Sequence, residues 1–294
     1  MKHWLILALG LLSLVALPQD AEARSRKRKM RMRTMTFNIR YDFKNDGQNR
    51  WHNRVDLIVK SIEQADADVV CLQEDKRHQI EDLQPKLGDY EFVGRGRNAT
   101  GSGERCSILF KSDTFKLKDS GSFWLSDTPD VPGSNTWRDK YPRVVTWALL
   151  APKKPKGHLV LVLNTHLAEG QRDEIRRRGS DVIADWIKAR VEGKQGEEIH
   201  VVVSGDFNTG EGTDPYRVLT DGEVKLRDAW KEGKTVAKSP GTFCGFRGLQ
   251  TRERIDWILV GGPTRVLRVV KMDDQIDGRW ASDHYALVAD IELR

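Results

Sequence analysis

The sequence predicts an α/β fold in which two β-sheets share one hydrophobic core. Short apolar runs typical of buried strands alternate with amphipathic helical patterns in the first half of the chain, and they alternate again in the second half. No stretch rich in Pro and Gly separates the two halves, so we expect one domain. The chain has 294 residues, of which 38% are hydrophobic, and this is enough to build a core of that size.

The first half contains five predicted strands and two predicted helices. Each strand is a short run rich in β-branched or aromatic residues, and each helix has apolar residues three or four positions apart. The strands are predicted over residues 35–40, 69–72, 90–93, 107–110 and 115–117, and the helices over residues 55–62 and 80–87. Residues 120–141 are rich in Gly, Ser, Pro, Asp and Trp without a clear period, which predicts a long ordered loop.

The second half opens with two strands that pair across a Pro- and Lys-rich turn. A long amphipathic helix follows them, and a continuous β-branched strand follows the helix. The strands are predicted over residues 144–150, 158–163, 199–203, 254–260 and 285–291, and the helix over residues 173–191.

The first 23 residues have the pattern of a secretory leader. An apolar run from Leu5 to Leu17 is followed by the small-x-small sequence Ala21-Glu22-Ala23. Because this run is too short to cross a bilayer comfortably, we expect cleavage after Ala23 and export to a periplasm or to the medium. An uncleaved anchor is the alternative, since basic residues follow the apolar run.

The net charge of +6 belongs to one short segment of the chain. Basic residues are concentrated from Arg24 to Arg33, whereas the chain from Thr34 onward has equal numbers of basic and acidic residues. We therefore expect residues 24–33 to be a disordered basic tail and residues 34–294 to be the folded domain. The tail either contacts a polyanion or a membrane surface, or stays solvated without a partner. No obligate protein partner is evident, and we expect a monomer.

Three cysteines do not make a disulfide framework, because an odd number leaves at least one thiol free. Cys71 and Cys106 lie in apolar, strand-like runs and are predicted to be small core residues. One bridge among the three cysteines stays open at this point.

Several polar residues fall at the ends of predicted strands. Such residues converge on one edge of a sheet, where a rigid scaffold can hold a site, whereas unrelated surface charges fall anywhere. A single acidic residue after a strand is more often a helix cap or a solvated turn, so only the combination is informative. The residues are Asn38, Glu74, His166, Asp206, Asn208, Asp283 and His284, and Asp256 is added from inside a later strand.

The segments that carry these residues resemble the endonuclease/exonuclease/phosphatase superfamily over nearly all of residues 34–294. The motifs are Thr36-Phe37-Asn38-Ile39, Leu72-Gln73-Glu74, Asn164-Thr165-His166-Leu167, Gly205-Asp206-Phe207-Asn208, Arg254-Ile255-Asp256 and Ser282-Asp283-His284. Six motifs in this order make chance agreement remote. The resemblance implies a four-layer α/β sandwich, with two mixed β-sheets packed face to face and helices outside. It also implies a metal-dependent phosphoric ester hydrolase with its active site at one rim.

Carried over to this sequence, the resemblance makes Asn38 and Glu74 the principal metal-site residues. Asp283 becomes a third contributor, at the same position or at a second one nearby. Carboxylate and carboxamide oxygens are hard ligands that suit Mg²⁺ or Mn²⁺ and leave coordination positions for water and a phosphate oxygen. The ion would neutralise charge that builds on the phosphoryl group.

Four further residues take catalytic roles by the same resemblance. Asp206 resembles the carboxylate that positions or deprotonates the attacking water. Asn208 resembles a residue that donates to a phosphate oxygen, with an Asx turn as the alternative. His284 resembles the imidazole beside phosphorus and Asp256 its orienting carboxylate, which would raise the imidazole pKa and fix its tautomer.

The opposite side of the phosphate belongs, in this resemblance, to His166, which binds the phosphate or assists the leaving group. Glu104 occupies a position where the deoxyribonuclease-like members place a carboxylate that supports this histidine. Arg143 follows a loop similar to one in exported bacterial members, and it either forks onto a phosphate or forms a structural ion pair. Phe243 either stacks on a base or sugar or, as the safer expectation, is a core aromatic residue.

These residues predict a divalent-metal-dependent phosphoesterase in which water attacks a phosphodiester or phosphomonoester in line. A nuclease, either an endonuclease or a 3′–5′ exonuclease, needs a positive groove, which the neutral body supports only weakly. A phosphatase or phosphodiesterase for a small molecule or a phospholipid head group is the alternative. A non-catalytic, envelope-associated binding module is the third hypothesis, but a degenerate member should have lost some of the six motifs.

Overall fold

A computed structural model describes residues 29–192 and 199–294 of the chain. Its strands are β1 (Met30–Asn38), β2 (Val69–Gln73), β3 (Tyr90–Val93), β4 (Ile108–Lys111), β5 (Phe115–Trp124), β6 (Val144–Pro152), β7 (Leu159–His166), β8 (Ile199–Asp206), β9 (Arg227–Asp228), β10 (Lys234–Val236), β11 (Asp256–Gly261), β12 (Thr264–Met272) and β13 (Ala286–Leu293). Its α-helices are α1 (Val55–Ala65), α2 (Arg77–Leu83), α3 (Asp173–Glu192), α4 (Asp214–Thr220) and α5 (Ala229–Glu232), and two 3₁₀ turns span Gly47–Asn49 and Trp51–Asn53.

The strands form two mixed sheets, as predicted. The 7-stranded sheet has the order β10-β12-β13-β1-β2-β4-β3, and the 6-stranded sheet has the order β5-β6-β7-β8-β11-β9. Strands β1 and β2 are parallel, as are β7 and β8, while most other neighbours are antiparallel. The carboxyl ends of β1 and β2 therefore meet at one edge of the first sheet, and those of β7 and β8 meet at one edge of the second.

The two sheets pack face to face, and helices cover their outer faces. Strand β8 illustrates the period of two: Val202 belongs to the core between the sheets, whereas Val201 and Val203 pack in the cluster that includes Ile183 and Ile187 of α3. On the other sheet, α1 and α2 cover the outer face. Strands buried on both faces read as continuous apolar runs, which explains the predicted strands.

The prediction that a disordered basic tail extends to residue 33 is wrong at its carboxyl end. Strand β1 starts at Met30 and pairs with β13, so that Met30 lies opposite Leu293. The order Met-Arg-Met-Arg alternates apolar and basic side chains, a strand pattern, and it buries Met30 and Met32. Arg33 pairs with Asp290 at 2.7 Å. The leader at residues 1–23 and the tail from Arg24 to Arg28 lie outside the described residues.

One other prediction needed correction, and one long strand was not predicted. The loop predicted over residues 120–141 starts later, because β5 continues to Trp124 at the edge of its sheet, where it pairs with β6. An edge strand can carry polar residues, which hid this part of it in the sequence. Gly121 is required there, since a Cβ at that position would lie 2.9 Å from the Trp147 ring. Strand β12 was missed, although its alternating burial reflects a period of two.

Cys71, Cys106 and Cys244 are free and buried. The first two are core residues, as predicted. Within the described ranges, no helix combines the length and the hydropathy that a membrane-spanning helix requires.

Candidate active site

Strand register brings the predicted residues to one rim of the sandwich. Asn38 lies opposite Gln73 on the parallel strands β1 and β2, and His166 lies opposite Asp206 on the parallel strands β7 and β8. Asp206 also lies opposite Asp256 on the antiparallel strand β11. A hydrogen bond joins the two sheets at this rim. The Asn38 side chain of the first sheet donates it to Asp206 of the second sheet at 2.9 Å.

Asp206 is the centre of the site. One carboxylate oxygen, Oδ1, accepts from the backbone N–H of Asn208 at 2.9 Å, and the other, Oδ2, accepts from Asn38 Nδ2 at 2.9 Å. The Nε2 atoms of His166 and His284 lie 3.6 Å and 3.7 Å from Oδ2. Burial, followed by the negative charge of Asp256, raises the Asp206 pKa to about 7. This carboxylate can therefore exchange a proton near neutral pH.

His284 and Asp256 form a hydrogen-bonded pair. His284 Nδ1 lies 2.9 Å from Asp256 Oδ2, and both side chains are buried. Burial by itself disfavours the imidazolium, but the carboxylates of Asp256 and Asp206 outweigh it and hold the His284 pKa well above its ordinary value. Since the Asp256 contact uses Nδ1, the Nε2 atom is left facing Asp206. The pair has the geometry expected of a histidine with an orienting carboxylate.

His166 lies on the other side of Asp206 and has the opposite electrostatics. Burial, followed by the positive charges of Arg143 and His284, holds the His166 pKa well below its ordinary value. Asn208 Nδ2 contacts His166 Nε2 at 2.9 Å and the Leu167 carbonyl at 3.1 Å. A carbonyl only accepts, so the amide nitrogen faces both groups and His166 Nε2 accepts from it. His166 is therefore neutral and carries its proton on Nδ1.

Glu74 and Asp283 provide hard oxygen donors at the rim beside Asn38. Glu74 Oε1 accepts from Asn38 Nδ2 at 3.0 Å, and Oε2 accepts from the backbone N–H of Tyr41 at 3.1 Å. Burial, followed by the charges of Asp283 and Glu104, raises the Glu74 pKa. Such a concentration of buried negative charge is suited to a divalent cation, because carboxylate oxygens are the ligands that Mg²⁺ and Mn²⁺ prefer.

A second group of donors also satisfies the distances for a metal site. One ligand atom from each of Asp206, Asp256 and His284 lies within 4.8 Å of the other two. These three residues are, however, already joined by the 2.9 Å hydrogen bond between Asp256 and His284. Among the described residues, Asp256 Oδ1 is a buried acceptor without a hydrogen-bond partner. An ion held by these three residues would have to displace His284 from Asp256, so Glu74 and Asp283 are the better candidates for a hard divalent ion.

Asn38 is placed differently from the expectation for a metal ligand. Its amide oxygen accepts from the backbone N–H of Arg40 at 3.0 Å, so the amide nitrogen points at Glu74 and Asp206. An amide nitrogen donates and does not ligate a hard cation. In this structure Asn38 is a hydrogen-bonded bridge between the two carboxylates.

Glu104 does not support His166 in the way expected. Both of its carboxylate oxygens are taken by Arg97, at 2.8 Å and 3.1 Å, and within the described part of the chain no hydrogen bond joins Glu104 to His166. A guanidinium matches both oxygens of a carboxylate, which explains why Arg97 captures this side chain. Glu104 still lies close enough to contribute to the raised pKa of Glu74.

The structure shows the environment of Arg143 and Phe243, for each of which the sequence left two alternatives open. Arg143 is 5% exposed and makes a structural ion pair through Nε to Asp139 at 3.1 Å. Its two terminal nitrogens have no hydrogen-bond partner among the described residues and remain available to an anion.

Phe243 is 36% exposed, so the expectation that it is a core residue is wrong. Its ring lies edge-on to His284 with the ring centroids 5.3 Å apart.

Sequence reasoning missed three residues that build this rim. Arg40 lies 3.8 Å from Asp283, and Arg97 forms an ion pair with Glu104. Asn164, within a recognised motif but without an assigned role, accepts from Gln73 Nε2 at 2.7 Å and ties the sheets together. The usable signal for Asn164 was its place in a motif and that for Arg40 was its position directly after one, whereas nothing in the sequence pointed to Arg97.

Comparisons with known proteins agree with this architecture. A family model described as Endonuclease/Exonuclease/phosphatase family matches residues 35–284. Protein angel homolog 2 from Bos taurus is 28% identical over 205 residues, which cover 67% of this chain and 35% of that protein. The chain thus spans about a third of the length of such curated relatives.

Two solved structures match over nearly their whole length. The endonuclease/exonuclease/phosphatase from Bacteroides vulgatus is 31% identical with a TM-score of 0.81, over 90% of this chain and 100% of that one. The mannosyl-6-phosphatase of Bacteroides thetaiotaomicron is 27% identical with a TM-score of 0.82, over 88% of this chain and 99% of that one. The motifs, the fold and these matches together establish that the chain belongs to the endonuclease/exonuclease/phosphatase family of hydrolytic phosphoesterases.

Proposed function

We propose that this protein hydrolyses a phosphate ester by in-line attack of water, with Asp206 accepting a proton from the water. The observation that carries the proposal is the position of Asp206, held by Asn38 and Asn208 between two histidines of opposite charge preference. A buried carboxylate whose pKa is about 7 is matched to proton transfer at neutral pH.

The enzymes of this family generally depend on a divalent metal, and Mg²⁺ or Mn²⁺ is the ion proposed for this chain. Glu74 and Asp283 would hold it, while Asn38 fixes Glu74 relative to Asp206. The ion would supply positive charge to the phosphate oxygens during the displacement. Because the ion would stabilise the transition state, we expect its removal to lower the rate of hydrolysis strongly.

The remaining residues divide between the two sides of the phosphate. His284, held as a cation by Asp256, stabilises negative charge that develops on phosphorus-bound oxygens. On the other side, Asn208 would contact the phosphate by exchanging its hydrogen bond to His166 Nε2 for one to a phosphate oxygen, with the neutral His166 beside it. Arg143 adds its two free terminal nitrogens, which are spaced to grip two oxygens of one anion.

A compact phosphate ester is the substrate class that the rim favours. Four basic residues in this part of the molecule are paired with carboxylates: Arg40 with Asp46, Arg97 with Glu104, Arg143 with Asp139 and Lys140 with Glu169. Such pairing reduces the long-range positive potential that a polyanion requires. The mannosyl-6-phosphatase, which matches over 99% of its own length, supports a phosphorylated sugar or a similar small molecule.

A nuclease is the second candidate function, supported by two observations. The family model includes endonucleases and exonucleases by its own description. In addition, the half-exposed Phe243 beside His284 offers an aromatic surface on which a base or sugar can stack. A phospholipid head group fits the same chemistry but has no comparable support from a surface feature.

A side-by-side rate comparison separates these candidates. Purified protein would be supplied with Mg²⁺ or Mn²⁺ and single-stranded DNA, RNA, inositol phosphates, sphingomyelin, sugar phosphates and simple phosphomonoesters. We expect the highest kcat/KM on a compact phosphomonoester. Preferred cleavage of DNA or RNA would support the nuclease instead, and no hydrolysis of any member would contradict the proposal.

Export is a further proposal, supported by the leader pattern of residues 1–23. Expression of the full chain in a bacterial host, with amino-terminal sequencing of the periplasmic or secreted protein, tests it. A mature chain that starts at Arg24 is the expected result, and a membrane-bound chain that keeps Met1 would support the uncleaved anchor. Vesicle and polyanion binding by the mature chain would then decide whether the basic tail has a partner.

A further inference from the structure

Arg40 is an unassigned cation at the edge of the proposed metal site. It lies two residues beyond Asn38, and its Nη1 atom is 3.8 Å from Asp283 Oδ2. The carboxylate of Glu74 is also close enough to favour the charged guanidinium. The positive charge of an arginine is permanent at physiological pH. A fixed cation therefore shares the carboxylates that are available to a metal ion.

The Arg40 guanidinium is held firmly in this position. Asp46 binds it through two hydrogen bonds, Nε to Oδ2 at 3.0 Å and Nη2 to Oδ1 at 3.2 Å. Its Cζ atom lies 4.8 Å from the ring centroid of Tyr41 and 5.6 Å from that of Phe43. The backbone of Arg40 adopts a left-handed conformation with φ of 56°. Moving the guanidinium away from Asp283 would break the paired hydrogen bonds and both ring contacts.

From this geometry we propose that the site takes a single divalent ion, shared by Glu74 and Asp283, with Arg40 occupying the place of a second cation. The inference rests on the proposed metal-dependent function and specifies its stoichiometry. Two-metal sites hold their ions roughly 3.5–4 Å apart on shared carboxylates. A second ion bound through Asp283 Oδ2 would lie beside the guanidinium, and the two positive charges would repel each other.

The other group of donors is not free to hold a second ion. Both oxygens of Asp206 accept hydrogen bonds, one from Asn208 and one from Asn38. Asp256 Oδ2 is engaged by His284 Nδ1. Only Asp256 Oδ1, among the carboxylate oxygens of this group, has no partner within the described residues. An ion held by this group would have to displace His284 from Asp256 Oδ2.

The test is the number of Mn²⁺ ions bound per chain, measured by isothermal titration calorimetry and by electron paramagnetic resonance of free Mn²⁺. The full mature chain is used as wild type, Arg40→Ala, Arg40→Lys, Glu74→Gln and Arg50→Ala. Arg50 is a matched control, since it binds Asp42 through a similar double contact in the same loop. Circular dichroism confirms that each variant is folded.

We expect one Mn²⁺ in the wild type, in Arg50→Ala and in Arg40→Lys, and a second, weaker binding event only in Arg40→Ala. Glu74→Gln should weaken the first event at least tenfold, which identifies it as the proposed site. Two ions in the wild type, or a single ion in a folded Arg40→Ala variant, would overturn the inference. If Arg40→Ala does not fold, the wild-type stoichiometry still decides.

These results are separable from the proposed function, because metal binding is measured without substrate. A chain that binds one Mn²⁺ at Glu74 but hydrolyses no phosphate ester would contradict the function and leave the stoichiometry standing. A chain that hydrolyses a phosphate ester with two bound ions would contradict the stoichiometry alone.

Discussion

Asp206 and Asp256 stand directly opposite each other on the antiparallel strands β8 and β11, yet the two carboxylates have different partners. Asp256 binds His284 Nδ1 at 2.9 Å, whereas Asp206 is held by Asn38 and lies 3.7 Å from Nε2 of the same ring. Two neighbouring carboxylates in different environments take different tasks. One orients an imidazole, and the other is left to accept a proton.

The pH dependence of the rate should reveal Asp206. Its pKa, raised to about 7 by burial and then by Asp256, makes it protonated and unable to accept a proton at lower pH. We therefore expect kcat/KM to rise with pH through about 7 and to fall roughly tenfold per unit below that range. Initial rates at saturating metal check this, with circular dichroism at each pH to exclude unfolding. A profile that is flat, or that rises towards acid, would argue against this role.

His284 and Asp256 should act as one unit. We expect His284→Ala to lower kcat/KM at least about a hundredfold, since a charge-stabilising group is removed from the transition state. Asp256→Asn should cost less, and the double variant should be no worse than His284→Ala alone. Steady-state kinetics of the two single variants and the double variant measure this. Losses that simply multiply would show that the two residues act independently.

Metal removal should abolish hydrolysis. A chelator is expected to eliminate activity, and added Mg²⁺ or Mn²⁺ to restore it, because the carboxylates of Glu74 and Asp283 would then regain their counter-charge. Glu74→Gln should raise the metal concentration for half-maximal rate by roughly tenfold or more. Glu81→Gln on the exposed side of α2 is the matched control, with 56% side-chain exposure. Full activity after exhaustive chelation would be incompatible with this account.

Arg54 should be essential to the stability of the rim. It is 0% exposed and donates to the backbone carbonyls of Asn49, Ile39, Ala281 and Arg40. Arg54→Met leaves these buried acceptors without partners, so we expect the free energy of unfolding to fall by at least about 2 kcal/mol. Urea denaturation measures it, with Arg217→Met, 58% exposed, as the control. Equal stability of the two variants would contradict the prediction.

The sequence was sufficient to predict the two-sheet architecture and the convergence of the site. Runs such as Val69 to Leu72 are apolar because β2 is buried on both faces, and polar residues directly after such runs must lie at a sheet edge. Asp206 was found in this way, and His284 was found because it directly precedes the last predicted strand. The alternation of apolar and basic residues from Met30 to Arg33 also indicates a strand, but the local concentration of basic residues concealed it.

What could not be predicted depends on side-chain orientation and on partners that are distant in sequence. Asn38 was expected to ligate metal, and only the hydrogen bond from Arg40 shows which way its amide points. Glu104 was expected beside His166, but Arg97, which no motif marks, holds it with two hydrogen bonds. Neither choice follows from periodicity or spacing.

The central claim is that Asp206 activates water for metal-dependent hydrolysis, and the Asp206→Asn variant tests it most directly. The substitution keeps the shape of the side chain but removes its ability to accept a proton. On the best phosphate ester found in the substrate comparison, with saturating Mg²⁺ or Mn²⁺, we expect kcat/KM to fall at least about a hundredfold. Asp221→Asn, an exposed position, should retain wild-type rates. A folded Asp206→Asn variant that hydrolyses the same ester at the wild-type rate would contradict the account.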